Sequence, residues 1–181
     1  MPLSGPEMPT APVAIRRLQA VGPAEVQALA AVLIDCVRGG ASVGFMQDLS
    51  AERAQAFWQR VADGVARGER ALLVAEDALG LCGTVQLLLD QPDNQPHRAD
   101  LAKMLVHHRA RRQGVGQALM QAAEALARDC GKRLLVLDTV TGSDADRLYT
   151  RLGWQRVGDI PGYALFPEGA PCSTTYFYRA L

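Results

Sequence analysis

The stretch from Leu101 to Gly131 constrains this chain more than any other. An apolar, strand-like segment, Leu101 to Val106, runs through the turn Arg111-Arg-Gln-Gly-Val-Gly116 into a helical pattern that continues to Cys130, where Gly131 is a natural cap. The backbone N–H groups of such a turn converge on one point. Glycines let a ligand approach the main chain closely, and the helix N-terminus adds partial positive charge, so the join suits a phosphate or pyrophosphate. Arg109, Arg111 and Arg112 place cations around it. Turn glycines before helices are common, and Gly114-x-Gly116 alone does not name the ligand. No Gly-Lys-Ser/Thr follows, which excludes a Walker A loop, and position 119 is Leu, which breaks the dinucleotide-binding pattern G-x-G-x-x-G.

Around this join the pattern is mixed. Val13 to Leu18 can form a strand. Pro23 opens a helix whose Val26, Leu29, Leu33 and Val37 recur at helical steps until Gly39-Gly40. Ser50 can cap a second helix, with Phe57, Val61 and Val65 on one face, ending at Gly68; Phe57 and Trp58 read as core. Ala71 to Ala75 and Leu81 to Leu89 predict an antiparallel hairpin, Gln91 to His97 a loop, and Arg98 to Val106 a strand. After the central helix, Arg133 to Thr139 reads as a buried strand and Ser143 to Leu152 as a short helix stopped by Gly153. Trp154 to Val157 and Thr174 to Tyr178 supply the last two strands. The fold class is therefore α/β with a mixed sheet, antiparallel in its first half and built of βα units in its second. Pro2, Pro6, Pro9 and Pro12 predict a disordered tail over residues 1–12, ahead of a single domain at 13–181.

Nineteen Lys and Arg balance nineteen Asp and Glu, for a formal net charge of zero, which argues against a general nucleic-acid binder or a protein adsorbing to anionic membranes. The longest apolar run, Ala28 to Ile34, falls short of the ~20 residues of a membrane span. No basic region followed by an apolar one opens the chain, so the expectation is a soluble, cytoplasmic protein without nucleic-acid or membrane partners. Cys36, Cys82, Cys130 and Cys172 form no C-x-x-C pair. His107 and His108, adjacent after a strand, should point to opposite faces with no third ligand in range, so no metal is expected.

Two motifs in order then carry a family resemblance. The strand, Arg111-x-x-Gly114-x-Gly116 and the helix bearing Leu119 and Met120 resemble the acetyl-CoA-binding motif of the GCN5-related N-acetyltransferases. Leu148-Tyr149-x-x-x-Gly153-Trp154 resembles the same family's late helix and following strand, and the likeness extends over Val13 to Leu181. Gly39 to Met46, Leu137 to Thr139, Gly142-Ser143 and Val157 to Tyr163 resemble, more narrowly, the tabtoxin-resistance acetyltransferases. The family implies a strongly twisted central sheet of six to seven strands with helices on both faces. It also implies acetyl-CoA as acetyl donor, no metal, and direct transfer to a primary amine.

An amine arrives as ammonium and must lose a proton before it attacks, so a carboxylate is needed. Asp100 and Asp138 are the candidates, both at strand positions where partial desolvation would raise their pKa; a salt bridge or a helix cap is the competing role for each. The family resemblance would put Glu where Asp100 stands, and the missing methylene shortens the reach by about 1.5 Å, which one water would restore. Tyr149 is the residue the family pattern sets against the departing thiolate. The main chain at Met104, Leu105 and Val106 would donate to the thioester oxygen. The cofactor site would comprise these three with Arg111, Arg112, Gln113, Gly114, Val115, Gly116 and Gln117, plus Ser143 in place of a family Asn whose position here is Gly142. The segments Gly40 to Met46 and Gly158 to Pro167 would line the acceptor pocket.

The acceptor implied is a small-molecule amine, an amino-acid-like toxin or antibiotic. A peptide or protein terminus, or a non-catalytic acyl-CoA-binding regulatory module, are the alternatives. A homodimer through an exposed C-terminal strand, Ser173 to Tyr178, is a further expectation from the family.

Overall fold

Local chemistry sets the helix starts as expected. Pro23 follows Gly22, whose N–H donates to Glu25 Oε2 at 3.0 Å, and Ser50 Oγ accepts from Arg53 N at 3.2 Å. In the computed structural model, which describes residues 13–181, the elements run β1 (Ala14–Leu18), α1 (Pro23–Arg38), α2 (Ala51–Ala66), β2 (Arg70–Asp77), β3 (Gly80–Leu88), β4 (Arg98–Val106), α3 (Val115–Asp129), β5 (Leu134–Val140), α4 (Asp144–Arg151), β6 (Gln155–Leu165) and β7 (Pro171–Ala180). The expected tail, residues 1–12, lies outside the described residues.

The seven strands form one sheet in the order β1-β2-β3-β4-β5-β7-β6. Among the described residues its only parallel pair is β4 with β5, joined across α3. Helix α1 buries Val26, Leu29, Leu33 and Val37 against one face of the sheet, together with Trp58 of α2. Helix α3 buries Leu119, Met120 and Ala123 on the other face, in a core that also holds Tyr149, Trp154 and Phe177. Helices therefore cover both faces, and hydrophobic burial on the two sides clamps the sheet between them. No helix among the described residues is long and apolar enough to cross a membrane.

The ladder of the sheet is interrupted at several register shifts, of which two bear on the site. Against β3, the pairs Thr84↔Leu105 and Gln86↔Ala102 leave one extra residue in β4, and Lys103 within that bulge has φ +51°. The final hairpin departs from the sequence expectation: β6 runs from Gln155 to Leu165 rather than ending at Val157, and β7 reaches from Pro171 to Ala180. The Pro161-Gly162 pair fits because β6 is an edge strand whose register shifts between Ile160 and Ala164, where a missing N–H costs little. It also follows that β7 is no edge: it lies between β5 and β6, so the expected pairing of Ser173 to Tyr178 with a second subunit has no open strand to use.

Candidate active site

The parallel pairing of β4 and β5 stops at Asp100↔Val136. Beyond it the strands part, and a cavity of about 910 Å³ opens between them, reached by Met104, Leu105 and Val106 from β4 and by Leu137 to Val140 from β5. The N-terminus of α3 faces the same cavity through Gly114, Val115, Gly116 and Gln117. Its first-turn amides have no partner within the helix and point outward from it, which is the chemistry of an anion seat.

The two glycines serve different needs. Gly114 caps α3 with φ +79°, a left-handed conformation that side chains disfavour. Gly116 is needed for closeness: a Cβ there would lie 3.1 Å from Leu148 Cδ2 of α4 and 3.8 Å from Met104 of β4. The turn is thereby drawn against both walls of the cavity.

The arginines divide. Arg112, held at φ +59°, and Arg111 line the cavity; Arg111 also donates from Nε to the Val106 carbonyl at 3.1 Å and so braces the end of β4. Arg109, expected beside the phosphates, instead turns to the β2–β3 hairpin, where Nη2 donates to Asp77 Oδ1 at 3.0 Å and to the Gly80 and Leu81 carbonyls. Gln113 lies outside the lining and donates from Nε2 to the Arg109 carbonyl at 2.9 Å. Ser143 lines the cavity while capping α4, its Oγ accepting from Asp146 N at 3.2 Å.

Of the two carboxylates, only Asp138 lines the cavity. Its residue is exposed rather than desolvated, and Thr174 Oγ1 lies 3.2 Å from its Oδ2. Asp100 accepts from Arg98 Nη1 at 2.6 Å and from Gln91 Nε2 at 3.1 Å, so both of its oxygens are engaged outside the cavity. Tyr149 lines the cavity at 4% exposure, against Trp154 and Phe177. Burial, reinforced by the charge of Asp138, pushes its phenol well above the usual tyrosine value and keeps it protonated.

One lining residue, Lys103, was not expected from the short-range sequence pattern, whereas Tyr163 lies in the Gly158 to Pro167 segment that was. Lys103, one of only two lysines, reaches the cavity from the β4 bulge, and that composition was the available signal. Tyr163 of β6 and Tyr176 of β7 share a hydrogen bond between hydroxyls at 3.0 Å. That bond, with burial and nearby Asp138, pushes Tyr176 up to about 12. His107 and His108 do not diverge as expected: their ring centroids are 4.5 Å apart, and both face Asp35 of α1. A third candidate ligand is therefore in range. The hydrogen bonds from His108 to Asp35, at 2.8 Å from its N–H and 2.5 Å from Nδ1, give the cluster a structural role in tying α1 to the end of β4.

A parallel strand pair that splits in mid-sheet, with a helix N-terminus facing the gap, gives a cleft with an anion seat at its side. Residues 68–156 match the family model described as an acetyltransferase (GNAT) domain. Solved structures agree over nearly the whole chain. A GCN5-related N-acetyltransferase from Kribbella flavida is similar at 24% identity and TM-score 0.75, covering 93% of this chain and 98% of that one. The yncA protein of Salmonella typhimurium, solved with its cofactor acetyl-CoA, is similar at 19% identity and TM-score 0.75, covering 93% and 94%. A ribosomal-protein-alanine N-acetyltransferase from Brucella melitensis is similar at 22% identity and TM-score 0.74, covering 93% and 99%. Residues 68–156 thus carry an acetyltransferase (GNAT) domain on a fold shared with solved N-acetyltransferases, and the chain is an N-acetyltransferase.

Proposed function

We propose that the acceptor is the primary amine of a small molecule, of the amino-acid-like toxin or antibiotic kind suggested by the resemblance to the tabtoxin-resistance group. The observation that carries this reading is a strap between two lining segments. The loop after α1 is fastened to the last hairpin: Ser42 Oγ donates to the Leu165 carbonyl at 2.7 Å, and Gln47 N donates to the Pro167 carbonyl at 3.1 Å. A bound polypeptide needs a groove open at both ends, and this strap narrows the acceptor side of the cavity, which favours a small acceptor.

The residues present fit acetyl-CoA, which when bound supplies an acetyl thioester. The first-turn amides of α3 and the Arg112 guanidinium would hold its phosphates, and the main chain of Met104 to Val106 would receive its extended arm on the unpaired side of β4. Asp138 faces the same cavity and takes the proton from the acceptor ammonium, directly or through a water. The amine nitrogen would then bond the acyl carbon as the carbon–sulfur bond breaks; Tyr149 would give its phenolic proton to the sulfur, and the second proton shed by the newly acylated nitrogen would restore the phenol. Asp100, engaged with Arg98 and Gln91, positions the start of β4 and stays outside the transfer.

The test is free-thiol release from acetyl-CoA over a panel of small primary amines and N-terminal peptides. Turnover of small amines is expected. Release confined to peptides would overturn the reading, and binding of acetyl-CoA with no turnover of any amine would favour a regulatory module.

A further inference from the structure

The two lysines of the chain meet opposite fates. Lys132 Nζ donates to the Leu89 and Pro96 carbonyls at 2.8 and 2.9 Å, so its charge is absorbed by the fold. Lys103 Nζ, among the described residues, has no carboxylate or carbonyl within hydrogen-bond distance; it lies over the face of Phe57, 5.7 Å from the ring centroid. An ammonium in a half-buried position normally recruits an anion. This one is set into the cavity by a β-bulge whose φ of +51° is uncommon for a residue with a side chain. Bulges of this kind re-aim a side chain.

The charges around Lys103 have a clear asymmetry. Asp138 projects from β5 on the far side of the split, and its field reaches Lys103 without a direct bond. Arg70 of β2 adds a second positive charge, its own Nη1 engaged with Gln86 Oε1 at 3.0 Å. Burial pulls the Lys103 amine below the usual lysine value, and Arg70 acts in the same direction against the opposing effect of Asp138. A cavity lined by a carboxylate from one strand and an unanswered ammonium from the strand across the split is complementary to a zwitterion. A simple amine would leave Lys103 unpaired, and a diamine would set a second cation against it.

We infer that Lys103 binds the carboxylate of the acceptor while Asp138 receives its ammonium, so that the substrates are amino acids or close amino-carboxylates. This inference rests on a small-amine acceptor. Lys103 is thus a specificity-determining residue, separate from the groups that move protons.

The experiment compares kcat/KM for matched pairs, each amino acid against its decarboxylated amine and its carboxamide, in the wild type, Lys103→Gln and Lys103→Arg. The wild type should favour the carboxylate member by about 10- to 100-fold, the range of a charge-assisted hydrogen bond. In Lys103→Gln that ratio should collapse towards one through KM, and in Lys103→Arg it should largely persist. Acetyl-CoA affinity and Tm, measured on each variant, separate a lost contact from a lost fold. Equal turnover of both members by the wild type overturns the inference, as does a Lys103→Gln defect of the same size in both series. Turnover of peptides alone overturns the underlying small-amine reading instead.

Discussion

The indole N–H of Trp154 donates to Glu124 Oε1 across 3.0 Å of buried space, tying the helix that begins at Gly114 to the strand that follows Gly153. The other carboxylate oxygen lies 3.5 Å from Arg179 Nε of β7. The two sequence motifs are thus physically joined behind the cavity. Glu124→Ala strips the partner from a buried N–H and from Arg179, and should cost about 2–3 kcal/mol. Glu124→Gln keeps an acceptor for the indole and should cost less. Urea unfolding midpoints check the order.

At Gly114 the expected cost is one of backbone alone. Its φ is +79° and an added Cβ would meet nothing within 4 Å. Gly114→Ala should therefore destabilise by about 1–2 kcal/mol, and Gly114→Asn by less. Gly116→Val differs, because its side chain would drive into Leu148 and displace α4 from the cavity wall. Its acetyl-CoA Kd should rise by more than its unfolding midpoint falls in proportion, which calorimetric titration beside thermal melting would show.

Tyr149→Phe and Asp138→Asn should each lower kcat by about 100-fold while leaving the acetyl-CoA KM within a few-fold. The Tyr149 hydroxyl has no hydrogen-bond partner among the described residues, so Tyr149→Phe should also leave Tm unchanged. Asp100→Asn should keep near-wild-type kcat and lose no more than about 1 kcal/mol of stability, because its ion pair with Arg98 is partly exposed. A kcat loss at Asp100 equal to that at Asp138 would refute the assignment of the base.

Acid should weaken the fold in two stages near the end of β4. Burial holds His107 below its ordinary 6.5, outweighing the pull of Asp35, so the folded state binds fewer protons than the unfolded one. That contribution is complete above pH 6.5 and is lost as pH falls through the lower folded value. Burial raises the Asp35 carboxyl, but the hydrogen bonds from His108 and the charge of His107 outweigh it and hold it below 3.8. Its contribution is complete above that value and disappears as pH falls further. Stability measured from pH 8 to pH 3 should show an early decline that His107→Gln removes and a later one that Asp35→Asn removes.

The parts of the site that were legible from sequence are those governed by neighbouring residues. A glycine at positive φ, a serine at a helix N-terminus, and apolar residues at helical spacing act within a few positions of themselves, so Gly114, Ser50 and the α1 face were readable. Lys103 was not, because its orientation depends on a register shift against β3, a strand that lies earlier in the chain. The length of β6 was hidden for a related reason: Pro161 and Gly162 look like a turn until an edge position excuses their missing pairing.

By itself, then, the sequence determined the order of elements, the glycine-bearing turn into α3 and the types of residue able to move a proton, because these follow from local propensity and side-chain chemistry. The tertiary structure alone decided which of them meet. It stopped the β4–β5 pairing at Asp100, engaged that carboxylate with Arg98, left Asp138 facing Tyr149's cavity, and turned an unpaired Lys103 into the same cavity. Those outcomes depend on where distant strands pair and where pairing ends, and no short-range pattern encodes that.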